Sequence, residues 1–171
     1  MAKKSTKGLY TYEYPHPAIT ADCVVFGYDN KTLKVLLVKR GVEKDASTSA
    51  YTGEWALPGG FMNVLTDETI AHTASRELKE ETGLDILPEN LKEFRTFSKI
   101  DRDPRERVVT IAHYALVKIA EVRADTDAEK AEWFSLPEVP SLAFDHDDIL
   151  AAAEETIRQR IHFEPVGFDL L

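Results

Sequence analysis

Cysteine is almost absent from this chain. Its one example among 171 residues, Cys23, rules out an intrachain disulfide, and its place in an apolar strand pattern marks a small buried hydrophobe rather than a nucleophile. The five histidines show no metal-ligand spacing. Long apolar runs are missing too. None approaches the length of a membrane span, and residues 1–7 lack the apolar segment of a signal peptide. No membrane partner is expected, and the cytoplasm is the expected compartment. Positive charge is in deficit, with 21 Lys and Arg against 30 Asp and Glu and a formal charge of −9. That balance argues against binding a nucleic-acid backbone by charge alone. It leaves room for a small anionic substrate, because a metal ion and a few arginines can reverse the potential locally.

What remains is ordinary globular material, 43% hydrophobic and 30% charged, long enough to bury one core. Residues 1–14 read as a flexible N-terminal tail and residues 15–171 as a single domain. The stretch 19–28 is β-branched and aromatic, the turn residues Asp29, Asn30 and Lys31 follow, and residues 35–38 continue as a strand. That order predicts a hairpin. Residues 41–53 are polar and irregular, and Trp55, Ala56 and Leu57 form a short strand ahead of Pro58. Thr66 and Asp67 are N-cap candidates for a helix over 68–82 that Gly83 stops. Further strands are expected over 91–100, 108–119 and 131–136, with a charged loop at 101–107. A second helix is expected over 146–161, with Ile149, Leu150, Ala153 and Ile157 on one face. The tail from Phe163 to Leu171 is apolar. Mixed strands with two well-separated helices predict an α/β sandwich.

The first helix carries acid where a solvated face would not put it. On a wheel of about 100° per residue, Ile70 and Ala74 define an inward stripe with Leu78 beside it. Glu77 and Glu81 fall within roughly 20° of the direction of Ile70, Glu80 lies next to them, and Lys79 points away. Unpaired charge on a core-facing stripe is costly. Arg76 reaches Glu80 at the i, i+4 spacing, but one arginine cannot neutralise three carboxylates. A bound cation resolves the conflict. Hard divalent ions such as Mg²⁺ take oxygen ligands and share them with substrate phosphates, and Gly59 and Gly60 let the preceding backbone approach such a site closely.

These residues resemble the signature box of the Nudix hydrolases: Gly, five residues, Glu, seven residues, then Arg-Glu-aliphatic-x-Glu-Glu-x-Gly-aliphatic. The match from Glu68 onward runs through Arg76, Glu77, Leu78, Glu80, Glu81, Gly83 and Leu84. One departure is clear, since seven residues rather than five separate Gly60 from Glu68. Residues 17–22, 35–40, 55–61 and 142–146 look like the ADP-ribose pyrophosphatase branch, and especially like the Nudix domain of NrtR-type regulators of NAD metabolism and sugar use. The resemblance covers residues 15–171 and implies a Nudix-type α/β/α sandwich with a mixed central sheet.

It also implies a chemistry: metal-dependent cleavage of the pyrophosphate bond of ADP-ribose or a related nucleoside diphosphate derivative, by in-line attack of water. Glu77, Glu80 and Glu81, with Gly60, would hold Mg²⁺ or Mn²⁺. Glu80, Glu81 and Arg76 would be catalytic, with Arg76 orienting the carboxylates and Glu68 supporting them at the helix start. Arg40, Arg102, Arg105 and Phe61 are the substrate-binding candidates. Asp101, Asp103 and Glu106 are candidates for a general base. Phe61, Phe97 and Tyr114 could stack on adenine, although each is more simply a core aromatic. Two other functions share this frame: a house-cleaning pyrophosphatase for nucleoside triphosphates, and a ligand-sensing domain of a transcription regulator without its DNA-binding domain. Monomer and homodimer both stay open.

Overall fold

The computed structural model describes residues 3–4, 10–41, 51–67, 69–119, 122 and 128–163. Its first two strands, β1 (Lys3–Lys4) and β2 (Tyr10–Thr11), pair antiparallel in a ladder of their own. The main sheet is built on β3 (Ala18–Tyr28), whose side chains alternate between two apolar faces. Ala21, Cys23 and Val25 pack in one cluster, and Val24 and Phe26 in the other. β4 (Leu33–Arg40) divides in the same way, Leu36 and Val38 against Val35 and Leu37. The two strands form the expected hairpin, closed by Asp29 Oδ1, which accepts from the N–H groups of Lys31 and Thr32 at 3.0 and 2.8 Å.

The remaining elements are β5 (Trp55–Ala56), β6 (Gly59–Phe61), α1 (Ile70–Thr82), β7 (Lys92–Phe97), β8 (Val108–Lys118), β9 (Ala128–Ser135) and α2 (His146–Ile161). β8 runs parallel to β3 along its whole length while the other pairings are antiparallel, so the sheet is mixed. Ala74 and Leu78 of α1 close the first cluster, and Ile149, Leu150, Ala153 and Ile157 of α2 close the second. The result is the α/β/α sandwich with a mixed central sheet that the family resemblance implied.

The sheet splits where the chemistry will sit. β3 and β4 pair only near their turn, from Phe26↔Val35 to Tyr28↔Leu33. Farther along, β6 takes the place beside β3 and sets Gly59 opposite Asp22, while β4 pairs with β5 and β9. Backbone hydrogen bonding is thus satisfied on both sides of a gap lined by side chains.

Several boundaries differ from the sequence reading. The N-cap of α1 is Thr69, not Thr66 or Asp67, and its hydroxyl accepts from the His72 N–H at 3.3 Å. Asp67 is drawn instead to Arg76, a charge-assisted pair stronger than a neutral cap. Gly83 ends the helix at φ 74°, as only glycine does without cost, and its N–H reaches Lys79 O at 2.9 Å. β7 is shorter than residues 91–100, because the Arg107 guanidinium holds the Ser98 and Lys99 carbonyls, both at 2.9 Å, and the chain turns away. β9 begins earlier than residue 131, since β4 keeps pairing out to Arg40↔Ala128. Glu68, residues 42–50 of the polar loop and the apolar tail from residue 164 lie outside the described residues. No described helix is long and apolar enough to cross a membrane.

Candidate functional site

The segment between β6 and α1 is where the spacing departs from the box, and it folds as a tight local turn. Asn63 O accepts from Thr66 and Asp67 N–H groups at 3.1 and 2.9 Å, and Asp67 Oδ2 accepts from Asn63 N–H at 2.7 Å. The turn delivers Asp67 to Arg76, which binds it bidentately through Nε at 3.0 Å and Nη2 at 2.8 Å. The Arg76 bonds hold the Asp67 carboxyl down at about 2. The same guanidinium donates from Nη1 to Glu77 Oε1 at 2.7 Å and Glu80 Oε2 at 3.1 Å, and from Nη2 to Phe61 O at 3.0 Å. Arg76 therefore ties the glycine strand, the loop and two helix acids into one unit. Glu81 is not among its partners.

Glu81 is held from the strand. Its Oε2 accepts the Gly59 N–H at 2.9 Å. Burial pushes this carboxyl up to about 8, with the neighbouring Glu77 adding to the rise and the Gly59 bond and the Arg40 charge opposing it. Burial also raises Glu77, against the pull of Arg76. Gly59 is required by close approach, since a Cβ there would run into the Ala21 carbonyl oxygen and the Asp22 backbone, whereas a Cβ on Gly60 would stand 2.5 Å from Glu77 Cδ and would displace that carboxylate.

Glu77 and Glu81 face a cavity of about 390 Å³ that fills the split in the sheet, together with Asp22, Arg40, Gly60 and Phe61. Arg102, Asp103, Arg105, Phe144 and His146 complete its polar and aromatic lining. Glu80 and Arg76 are not part of that lining; the Glu80 side chain is 46% exposed on the helix surface. Among the described residues no three Asp, Glu, His or Cys side chains converge as a ready-made metal cage. The donors present still fit a hard divalent cation, which uses one or two carboxylates and completes its shell with water and phosphate. Two desolvated carboxylates on one cavity wall are costly alone and are relieved by such an ion.

The arginines differ in how they are held. Arg102 is nearly buried, bidentate to Asp145 at 3.0 and 2.7 Å and 3.3 Å from Asp22 Oδ2. Arg105 binds Asp103 through Nε at 3.0 Å and Nη2 at 2.8 Å. Burial raises the Asp103 carboxyl, but the Arg105 bonds outweigh it and hold the group below its ordinary value. The Arg105 Cζ sits 5.2 Å from the Phe61 ring centroid and 5.4 Å from that of Phe144, while Arg40 Cζ lies 4.9 Å from the Phe144 centroid. His146 Nδ1 accepts from the Leu57 N–H at 2.9 Å. A backbone N–H can only donate, so the neutral ring carries its proton on Nε2, which faces Asp22 Oδ1 at 3.8 Å. Burial lowers the pKa of this histidine and favours that neutral form.

Sequence reasoning left Asp22, Phe144, Asp145 and His146 without roles. Asp22 has no local signal, because an acid in an apolar strand shows its value only through partners 80 and more positions away. The run 142–146 had one, namely an aromatic, an acid and a histidine in succession where α2 begins. Of the other residues weighed, Tyr114 is 4% exposed and packs in the α2-side core, where Phe97 also packs. Asp101 and Glu106 are not in the cavity lining.

The sequence profile of the NUDIX domain matches residues 16–153. An ADP-ribose pyrophosphatase of Methanocaldococcus jannaschii is 39% identical over 137 residues, 80% of this chain and 73% of that protein. A MutT/nudix family protein from Enterococcus faecalis superposes with a TM-score of 0.81 at 32% identity, covering 91% of this chain and 68% of the other. The NUDIX domain of Shewanella oneidensis NrtR, solved in complex with ADP ribose, superposes with a TM-score of 0.75 at 31% identity, covering 84% of this chain and 90% of that one.

Proposed function

The chain belongs to the NUDIX family, and from that membership we propose that it is a divalent-metal-dependent hydrolase that cleaves the pyrophosphate bond of ADP-ribose or a related nucleoside diphosphate derivative. The observation that carries the reading is the pairing of two desolvated carboxylates, Glu77 and Glu81, with Arg40 and Arg105 around one cavity. A carboxylate pair alone would repel a diphosphate, and arginines alone would bind it without activating water. Together they suit a metal-bound diphosphate ester. The likeness to an ADP-ribose pyrophosphatase of Methanocaldococcus jannaschii and to an NrtR domain that binds ADP ribose supports the same ligand class.

Mg²⁺ or Mn²⁺, held by Glu77 and Glu81 with Glu80 and the Gly60 backbone close by, would neutralise phosphate charge and lower the pKa of the attacking water. The chain's own groups do the rest. The Gly59 N–H fixes which Glu81 oxygen faces the strand. Arg76 holds Glu77 and Glu80 in register with the glycine strand. Arg40 and Arg105 supply fixed positive charge where the diphosphate gains negative charge as the bond breaks. Asp103 lies on the cavity but is engaged by Arg105. The reading carries with it a cytoplasmic location and leaves monomer and homodimer open.

A substrate panel tests it. With Mg²⁺, ADP-ribose should be preferred over dATP, dGTP and their oxidised forms by at least about tenfold in kcat/KM, the size of effect that one charge-assisted contact to the ribose beyond the second phosphate supplies. Triphosphates proving the better substrates would sink the ADP-ribose assignment and favour the house-cleaning function.

A further inference from the structure

Two bulky aromatics on the cavity side of the molecule have left-handed backbones: Phe144 at φ 58° and Tyr51 at φ 67°. Side chains of this size rarely adopt that conformation, and it persists only where the surroundings impose it. Here they do. Leu142 bridges to Trp55, and the Ala143 N–H bonds to Trp55 O at 2.8 Å. On the other side Asp145 grips Arg102 and His146 grips the Leu57 N–H. Phe144 is caught between neighbours anchored to three different parts of the site, and its ring is aimed accordingly. The Tyr51 ring packs on it with centroids 4.6 Å apart.

The same arrangement fixes Arg40. Its backbone is bracketed by the turn that Tyr51 opens, with Gly53 N–H to Arg40 O at 2.8 Å and Arg40 N–H to Glu54 O at 2.9 Å. Its guanidinium then lies over the Phe144 ring, as does that of Arg105. The two guanidinium carbons can lie no farther apart than the sum of their distances to that one centroid. One aromatic ring thus attracts both guanidinium groups, one of them while it keeps its pair with Asp103. A core aromatic has no need of a strained backbone, and here the ring so aimed holds two arginines on the wall of the cavity that Glu77 and Glu81 also face.

We propose that Phe144 is a positioning residue, whose ring, aimed by its left-handed backbone, seats Arg40 and Arg105 together as one receptor for the substrate's diphosphate. Phe144 touches no reacting atom and acts through the two arginines. The hydrolase reading above supplies only the choice of ligand.

The variants Phe144→Tyr, Phe144→Leu and Phe144→Gly separate this role from packing. Each is made in the full chain, and three quantities are measured with Mg²⁺ present: the melting temperature, ADP-ribose kinetics, and calorimetric binding of inorganic pyrophosphate. Glycine tolerates the positive φ, so Phe144→Gly should melt no lower than Phe144→Leu although it loses more packing. Removal of the π face should raise KM about tenfold in both Leu and Gly variants, with kcat within about threefold of wild type. Phe144→Tyr keeps the ring and should stay within about twofold of wild type in KM. Pyrophosphate affinity should follow the same order. An unchanged KM in Phe144→Gly, a loss confined to kcat, or a Tyr variant as impaired as Leu would each overturn the proposal. If the wild-type protein does not hydrolyse ADP-ribose, the hydrolase reading fails and pyrophosphate binding decides alone. Weakening in Leu and Gly with retention in Tyr would uphold the role, whereas equal affinities, or no binding by wild type, would overturn it.

Discussion

Replacing Glu81 by glutamine should make the metal-free protein more stable at alkaline pH and nearly inactive at every pH. Burial raises the folded-state pKa of Glu81 from 4.5 to about 8, whereas the unfolded chain titrates near 4.3. A carboxyl raised in this way takes up a proton on folding. Its favourable contribution is whole below about pH 4 and is lost as the pH climbs through about 8. Each pH unit is worth about 1.4 kcal/mol, so the full shift corresponds to on the order of 5 kcal/mol. The side chain is only partly buried, and screening by cavity water reduces the expected effect to roughly 2 kcal/mol. At about 2–4 °C per kcal/mol for a chain of this size, Glu81→Gln should melt about 4–8 °C above wild type near pH 8.5 in chelator. The two should melt together near pH 4 and diverge steadily as the pH rises toward 8. Differential scanning calorimetry across that range reads the difference, and Mg²⁺ should narrow it at high pH by stabilising only the wild type. In the same samples kcat should fall at least about a hundredfold, the usual loss when a charge-stabilising group at the reacting centre is removed. A melting difference independent of pH, or a variant less stable than wild type at pH 8.5, would refute the idea that Glu81 is a desolvated carboxylate awaiting a cation.

Other perturbations probe the frame around it. Asp67→Asn removes a buried partner of Arg76 and should cost about 3 kcal/mol. Because the folded-state pKa of Asp67 is held at about 2, its stabilisation is present above about pH 4 and lost as the pH falls toward 2, so the variant should show a shallower acid limb in its melting profile. Gly60→Ala drives a Cβ into the Glu77 carboxylate; circular dichroism should report an intact fold while activity falls at least about tenfold. Arg102→Ala leaves Asp145 and Asp22 buried without their shared cation. It should lower stability by about 3–5 kcal/mol, a loss that chemical denaturation measures and that a purely substrate-binding arginine would not cause.

The sandwich was legible because its signals are local and periodic: the apolar alternation of residues 19–28 and 35–38, the Gly83 stop, and the stripe of Ile149, Leu150, Ala153 and Ile157. The inward direction of Glu77 and Glu81 was legible for the same reason, since helix geometry converts spacing into direction, whereas Glu80 turns to the surface with Arg76. The Thr69 cap was not, because the competition between a neutral cap and an ion pair for Asp67 depends on where Arg76 points after folding. Arg102 lines the cavity, as a substrate-binding candidate should, but its ion pairs to Asp22 and Asp145 span 80 and 43 positions. No window of sequence brings them together. His146 escaped for a related reason: its hydrogen bond to the Leu57 N–H spans 89 positions. What sequence cannot supply here is the split between β3 and β4, which turns ordinary strand residues into cavity walls.

Metal dependence of ADP-ribose hydrolysis is the most direct measurement. The purified chain, stripped with EDTA, should form no AMP from ADP-ribose, and added Mg²⁺ or Mn²⁺ should restore formation of AMP and ribose 5-phosphate in equal amounts. Full turnover in chelator, or no turnover of ADP-ribose or any nucleoside diphosphate derivative with either metal, would contradict the assignment of Glu77 and Glu81 to a catalytic metal site.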